Sequence, residues 1–251
     1  ESAPSATAGA RPVRVHVVLT PAELGPDLHS RTAVVIDVFR AATTMVTALA
    51  SGCRAIVPAL TPEEARERAR AFPRGEVLLA GERGGDPIDG FDLGNSPLEY
   101  TAQRVADKIV VLTTTNGTKA LLRASSAAAT AVAGLVNVKA TAQWAQDQAR
   151  DLTLACAGEA GEASLEDTVC AGLIVDALVG AGALELSDTA AMARGTARDY
   201  RHRLDDLRAE SHWGRHLARR GRQQDLATCL ALDAWTTVPL FRNGLVTAAQ
   251  P

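Results

Sequence analysis

Short runs of β-branched and other apolar residues recur along the chain, and most are followed by a polar or glycine-rich segment and then by a longer stretch with helical spacing. Val13 to Leu19, Ala33 to Val38, Arg54 to Ala59, Glu76 to Ala80, Lys108 to Leu112, Ala129 to Ala133 and Leu152 to Cys156 read as strands. Between them Ala41 to Ala50, Pro62 to Phe72, Pro97 to Ala106, Lys119 to Ser126 and Ala140 to Arg150 read as helices. Two of these open on Pro at a first-turn position, where the missing N–H has no partner to lose, and the first is expected to end at Gly52. From Ser164 onward the pattern turns mostly helical: Leu165 to Val179, Ala190 to Leu207, Leu217 to Arg220 and Gln224 to Trp235, with a short strand expected near Val238. Alternating strands and helices followed by a helical C-terminal third define an α/β protein.

The 251 residues fall between one large α/β domain and two small ones. No fixed-period repeat and no internal Pro/Ser/Gly linker divides them, so residues 12–251 are expected to form a single domain. Glu1 to Arg11 is Ser/Ala/Pro-rich, lacks the basic-then-apolar layout of a signal peptide, and reads as a flexible tail. Because the chain opens on Glu rather than Met, an upstream segment stays open.

Composition narrows the class further. With 47% apolar and 22% charged residues, disordered, collagen-like and disulfide-framework chains are excluded. Aromatics make up only 4%, so the core must be built from Ala, Val, Leu and Ile, which suits helices packed closely on a sheet. A net charge of −3 offers no overall positive field to nucleic acid or an anionic membrane. The longest uncharged stretch, Ala124 to Val138, falls short of the ~18 residues a membrane span needs. Cys53, Cys156, Cys170 and Cys229 are widely separated with no Cys-x-x-Cys pair, which argues against zinc and disulfides and for a reducing, cytoplasmic home. The Ala-rich helices offer a face for a homodimer.

Four strands are each followed at once by a chemically dense segment, and in a parallel sheet such segments gather along the carboxyl edge, where open α/β folds bind ligands. After the first comes Asp37-Val38-Phe39-Arg40-Ala41-Ala42-Thr43-Thr44. A carboxylate at a strand end can hold Mg²⁺, and Arg40 with the hydroxyls at a helix start, Thr43 included, can take phosphate oxygens. The plainer reading has Asp37 and Thr43 cap a helix while Arg40 pairs with a surface acid; an acid ending an apolar strand needs a partner to offset its burial, which favours the functional one. Gly81-Glu82-Arg83-Gly84-Gly85-Asp86 sets an acid beside a base among glycines, a ligand loop or an exposed turn with equal ease. The neighbouring Gly94-Asn95-Ser96-Pro97 reads as an N-cap.

Thr113-Thr114-Thr115-Asn116-Gly117-Thr118-Lys119 supplies hydroxyls, an Asn-Gly turn and a Lys, a set of donors suited to a phosphate or sulfonate. In Gly158-Glu159-Ala160-Gly161-Glu162-Ala163-Ser164-Leu165-Glu166-Asp167, Ser164 and Asp167 form a capping box, which leaves Glu166 to complete a hard-cation site with Asp37 or Glu82.

Several familiar motifs are absent. Neither Gly-x4-Gly-Lys-Ser/Thr nor Gly-x-Gly-x-x-Gly occurs, so no NTPase or dinucleotide fingerprint is present. A haloacid-dehalogenase-type phosphatase would need a second Asp two residues after Asp37, where Phe39 stands. Cys156 lacks the Cys-x5-Arg loop of cysteine phosphatases and reads as a core thiol. His212 and His216 stand four apart, but Gly214 weakens a helix between them and they read as surface histidines. The Arg-rich stretch from Arg194 to Arg222 is interspersed with acids, as in a solvated, salt-bridged helix.

Set side by side, Val35-Ile36-Asp37-Val38-Phe39-Arg40-Ala41, Ala80-Gly81-Glu82-Arg83-Gly84-Gly85, Phe91-Asp92-Leu93-Gly94-Asn95-Ser96-Pro97, Thr113-Thr114-Thr115-Asn116-Gly117-Thr118, Cys156-Ala157-Gly158 and Ser164-Leu165-Glu166-Asp167-Thr168 make the chain resemble the 2-phosphosulfolactate phosphatase (ComB-like) family. The resemblance runs from about Val13 to about Leu240, and the family's late Ser-x-x-Gly-Arg-x-Leu frame is kept at Ser211 to Leu217, which makes Arg215 a further candidate anion ligand. It implies a three-layer α/β/α fold with a largely parallel or mixed sheet. It also implies a Mg²⁺-dependent phosphatase converting 2-phospho-3-sulfolactate to 3-sulfolactate and phosphate, a step in coenzyme M biosynthesis.

On the residues, Asp37, Arg40 and Glu82 are the expected catalytic groups and Asp37, Glu82 and Glu166 the expected metal ligands. Arg83, Thr43, Thr114, Thr115, Asn116, Gly117, Thr118 and Lys119 are expected to bind a small anionic phosphorylated substrate. Two other functions fit the same anion cradle: a phosphatase for a related phosphorylated hydroxy acid, and a non-catalytic anion-binding protein, which would saturate without turnover. Nucleic-acid binding through the Arg-rich helices would show steep salt dependence and is disfavoured by the chain's acidity.

Overall fold

The computed structural model describes residues 11–26, 28–180 and 183–249; the expected N-terminal tail lies, but for Arg11, outside them. Among the described residues eleven strands form one mixed sheet: β1 (Val13–Val18), β2 (Thr32–Ile36), β3 (Ala55–Pro58), β4 (Val77–Arg83), β5 (Asp86–Pro87), β6 (Ile109–Thr113), β7 (Ala129–Ala133), β8 (Leu152–Cys156), β9 (Leu184–Leu186), β10 (Pro239–Arg242) and β11 (Leu245–Ala248). The helices are α1 (Ala41–Ala50), α2 (Pro62–Ala69), α3 (Ala102–Val105), α4 (Gly117–Arg123), α5 (Val138–Asp147), α6 (Leu165–Leu178), α7 (Asp188–Tyr200), α8 (Leu207–Glu210), α9 (His212–Arg219) and α10 (Gln223–Cys229). All seven expected strands are present, and so is the one near Val238.

The sheet order is β5-β4-β6-β3-β11-β10-β7-β2-β8-β1-β9. Two parallel blocks, β4-β6-β3 and β7-β2-β8-β1-β9, are joined by the antiparallel hairpin β10–β11. Its turn, Asn243-Gly244, takes positive φ at both residues, the geometry that matches the right-handed twist of a hairpin.

Strand side chains alternate between faces, and the alternation explains the three layers. Val34 and Ile36 of β2 enter a core with α5, α6 and α7, whereas Ala33 and Val35 enter a second core with α1 and α4. That second core also takes Ile56, Val110 and Leu112 from the other block and Val246 from the hairpin, so both blocks close around α1 and α4. With both faces covered, the strands read as continuous apolar runs.

Several expected elements differ: the helix expected over Ala190 to Leu207 ends at Tyr200, with a 3-10 turn at Leu204–Asp206 before α8, and the one expected over Gln224 to Trp235 ends at Cys229. Pro97 to Ala106 is split into a 3-10 turn at Pro97–Glu99 and the short α3, because the Tyr100 hydroxyl is drawn inward to bond the Gly94 carbonyl at 2.7 Å. β4 continues past Ala80 to Arg83, so Glu82 and Arg83 end a strand rather than open a loop. Helix α9 does cross Gly214: a Cβ there would lie 2.5 Å from the Leu207 carbonyl oxygen, so glycine is what allows α9 to pack on α8.

α6 and α7 approach even more closely. A Cβ at Gly172 would sit 2.0 Å from the Ala193 carbonyl oxygen. Gly172→Ala is therefore expected to separate the two helices and cost about 1–3 kcal/mol of stability, read as a lower urea midpoint with unchanged slope.

Candidate active site

Asp37 follows β2, and its Oδ1 accepts a hydrogen bond from the Ala41 amide at 3.0 Å, which ties the carboxylate to the start of α1. Its Oδ2 faces Gly117, where a Cβ would come within 2.6 Å, so only glycine lets α4 begin against the acid. Glu82, from the other block, clamps two loops. Its Oε1 accepts from the Thr115 amide at 2.8 Å and hydroxyl at 2.9 Å, and its Oε2 from the Gly85 amide at 2.7 Å. Arg83, next on the same strand, must point to the opposite face. Its guanidinium bonds the Leu60 carbonyl at 3.0 Å and the Thr113 hydroxyl at 2.8 Å, so it braces strand ends instead of meeting substrate with Glu82, contrary to expectation.

Arg40 is 3% exposed and paired with Asp225 of α10 at 2.5 Å, while a second N–H donates to the Gly85 carbonyl at 2.8 Å. The other Asp225 oxygen accepts from the Ser96 hydroxyl at 2.6 Å, so Ser96 stands at the expected N-cap position ahead of Pro97 but spends its hydroxyl on anchoring the ion pair. The remaining Arg40 donors border a cleft shared by Asp37, Glu82, Asn95, Thr115 and Asn116, with Phe39 and Trp213 as apolar walls. The cleft encloses about 20 Å³, room for one ion or water.

Behind it the acids accumulate. The Ser164 hydroxyl caps α6 by accepting from the Asp167 amide, and the carboxylate of Asp167 accepts in turn from the amides of Val38 at 2.8 Å and Gly158 at 3.1 Å, binding the ends of β2 and β8. Desolvation and the Asp167 charge push Asp37 up to about 8, and desolvation with the Glu166 charge pushes Asp167 up to about 8. Desolvation, then the Asp37 charge, raise Glu166 to about 7. Two oxygens here have no hydrogen-bond partner: Oε2 of Glu166 and Oδ1 of Asn95.

Buried like charges and orphaned oxygens are the environment a hard divalent cation relieves, and the donor set, all oxygen, fits Mg²⁺. Among the described residues no three His, Cys, Asp or Glu side chains form a metal cluster, so the expected trio of Asp37, Glu82 and Glu166 is not assembled as one. Glu82 spends both oxygens on loop donors, and Glu166 lines the neighbouring cleft. Asp37 with the Asn95 carbonyl oxygen, and Glu166 alongside, is the set that fits, since Mg²⁺ is commonly held by one or two carboxylates with water and substrate oxygens.

The other expected ligands divide. Thr115 and Asn116 line the cleft, as does Thr114, whose hydroxyl also accepts from the Thr118 amide at 3.1 Å. Thr118 is fully buried and bonds back to Thr114, and Thr43 is buried with its hydroxyl on the Val38 carbonyl at 3.2 Å, so both brace backbone away from the cleft. Lys119 opens onto a second cleft that shares Thr115 and Asn116. Arg215 bonds the carbonyls of Ala209 at 3.0 Å and Glu210 at 2.7 Å, closing α8 rather than reaching the centre.

His212 is exposed, whereas His216 is half-buried, stacked on Trp213 at 4.3 Å between ring centres and bonded to the Gly84 carbonyl at 3.2 Å. All four cysteines are free and buried, and burial pushes the Cys156 thiol up, which suits a core residue and not a nucleophile. Arg194, Arg198 and Arg201 converge on Asp176, the expected salt-bridged helix.

A buried guanidinium and two carboxylates meeting in a one-ion cleft at the edge of an α/β sheet are equipment for phosphoryl transfer, and the protein is a phosphatase of the α/β class. Residues 18–244 match the family model for 2-phosphosulpholactate phosphatase, and the chain belongs to that family. A probable 2-phosphosulfolactate phosphatase of Symbiobacterium thermophilum is 44% identical over 92% of this chain and 98% of its own length. Probable 2-phosphosulfolactate phosphatases of Caldanaerobacter subterraneus (89% of this chain, 93% of their own length) and Thermotoga maritima (92% and 96%) are each 37% identical.

Two measurements check the electrostatics. Carboxyl groups raised above their unfolded values near 4 stabilise the fold fully below that pH, and the contribution is lost as pH rises through about 7 to 8. In divalent-free buffer the thermal midpoint is therefore expected to fall from about pH 5 to about pH 8.5, and Asp167→Asn to flatten the fall. Asp225→Asn leaves the Arg40 charge buried without its counterion, and chemical denaturation is expected to show a loss of about 3–5 kcal/mol.

Proposed function

We propose that the protein hydrolyses 2-phospho-3-sulfolactate to 3-sulfolactate and phosphate with Mg²⁺ as its cofactor, in a coenzyme M-type route. The observation that carries this reading is the meeting of Asp37 and Arg40 in one closed cleft, a carboxylate for a cation beside a guanidinium for an anion. The named relatives are described as acting on the same substrate class.

When bound, Mg²⁺ would supply Lewis-acid polarisation of a phosphoryl oxygen. The chain's own residues do the rest. Asp37, fixed by the Ala41 amide and packed against Gly117, would hold the cation through its carboxylate. Arg40, locked by Asp225 and Gly85, offers its remaining N–H groups to the phosphoryl oxygens without having to reorganise as charge develops, and such preorganised donors are worth more in a water-poor cleft. Glu82 holds the Thr115 loop against the Gly85 turn, so the hydroxyl-rich loop keeps its position over the reacting group. Phe39 and Trp213 exclude bulk water.

Four buried, unpaired thiols suit a reducing compartment, so we place the enzyme in the cytoplasm. No helix among the described residues is long and apolar enough to cross a membrane.

Asp37→Asn is expected to lower Mg²⁺-dependent phosphate release by about 10²–10³-fold, as when a single preorganised electrostatic group is lost. Metal-dependent turnover left intact in that variant would remove Asp37 from the centre. Saturable binding of the ester with no release by the wild-type protein would make it an anion-binding module instead.

A further inference from the structure

Two larger clefts open from the site, and their charges are opposite. One, of about 370 Å³, is lined by the four acids Glu159, Glu162, Glu166 and Glu210, with His212 and a single cation, Arg215, whose guanidinium is held by the carbonyls of Ala209 and Glu210. The other, of about 440 Å³, contains no acidic residue in its lining and is floored by Lys119 and Arg123 of α4. It joins the central cleft through Thr115 and Asn116, which line both.

Lys119 and Arg123 are exposed, and neither side chain has a hydrogen bond or ion pair among the described residues. Most of the protein's arginines are otherwise spoken for. Arg40 holds Asp225, Arg83 holds backbone and Thr113, Arg203 holds Asp199, Asp206 and Glu210, and three more converge on Asp176. The nearest acid on the facing segment, Glu23, is turned back onto the amide and hydroxyl of Thr20 at 2.9 and 3.0 Å.

The position of α4 is rigid. It starts at Gly117, against the Asp37 carboxylate, and Lys119 and Arg123 lie one helical turn apart, about 6 Å along its axis. Lys119 therefore stands nearest the reacting phosphate and Arg123 one turn further out on the same face.

We propose that this cleft is the subsite for the sulfonate of the substrate, and that Lys119 and Arg123 are specificity-determining residues. The inference rests on the phosphatase reading above. A sulfonate carries its charge over three oxygens in a tetrahedral array, so it can engage an ammonium and a guanidinium on one side together, where a planar carboxylate pairs best with a single guanidinium fork. The acidic cleft would repel the same group, which orients the ester in one direction. Selection arises because the two exposed cations are neutralised by the sulfonate-bearing ester and left uncompensated by one that carries only phosphate and carboxylate.

The test compares kcat/KM for 2-phospho-3-sulfolactate with that for 2-phospholactate, which keeps the phosphate and carboxylate and lacks the sulfonate. Arg123→Ala and Lys119→Ala are each expected to reduce the ratio about tenfold, or about 1.4 kcal/mol, and Arg70→Ala, which removes an exposed cation that lines neither cleft, to leave it unchanged. The phosphate ester of 2-hydroxyethanesulfonate, which lacks the carboxylate, should lose turnover as the sulfolactate ester does. An unchanged ratio in both α4 variants overturns the subsite, and so does a loss that follows the carboxylate.

If wild-type protein releases phosphate from none of the three esters, the phosphatase reading fails by itself. The subsite is then read by calorimetric binding of 3-sulfolactate against lactate: a preference lost in Arg123→Ala supports it, and no preference in the wild type overturns it.

Discussion

Four carboxyl groups, those of Asp37, Glu82, Glu166 and Asp167, are buried along one edge of a sheet built almost entirely from aliphatic residues. In so poor a dielectric each acid must find donors or give up its charge, and the donors available are backbone amides freed where strands end. Asp167 takes amides beyond β2 and β8, Asp37 takes one from α1, and Glu82 takes those of the β6–α4 loop and the Gly85 turn. The acids thus gather loops from both parallel blocks, and the charge the amides leave uncompensated is what makes the edge a place for a cation and an anionic ester. Fold and site are one solution to the same electrostatic cost.

Arg40 and Asp225 extend this logic to the C-terminal helices. Their buried pair, held at its far side by Ser96 and Gly85, spans three regions of the chain that are distant in sequence. Replacing such a pair with apolar residues would often be no less stable, so its presence here is better understood as positioning: it points a guanidinium into the cleft and keeps α10 seated over it.

Much of the architecture was legible because the strands are buried on both faces, so each appears as an uninterrupted apolar run bounded by polar residues. β5 and β9, of two and three residues at the sheet edges, carry too little pattern to read. β11 was readable in principle, since Asn243-Gly244 is a hairpin turn signal between apolar runs. Gly214 misled, because helix propensity yielded there to the close packing of α9 on α8. Within the site, Asp37, Arg40, Glu82, Thr115 and Asn116 stood out as polar residues at the carboxyl ends of strands. The roles of Glu82 and Arg83 could not be separated until β4 was seen to continue through both, after which strand alternation sends them to opposite faces. Asp167 was hidden by a capping motif that accounts for Ser164 but not for the acid's own bonds, and Asp225 carries no local signal, since its partner is 185 residues away.

That separation has a consequence for the order in which the enzyme comes into being. A ribosome delivers Asp37, Arg40, Glu82 and Asn116 long before α10 emerges, so a nascent chain holds a bare guanidinium and an unscreened set of acids across the 185 residues that separate Arg40 from Asp225. The pocket cannot exist before then, and a chain stalled ahead of residue 225 carries nearly every reactive group yet has no closed centre in which to use them.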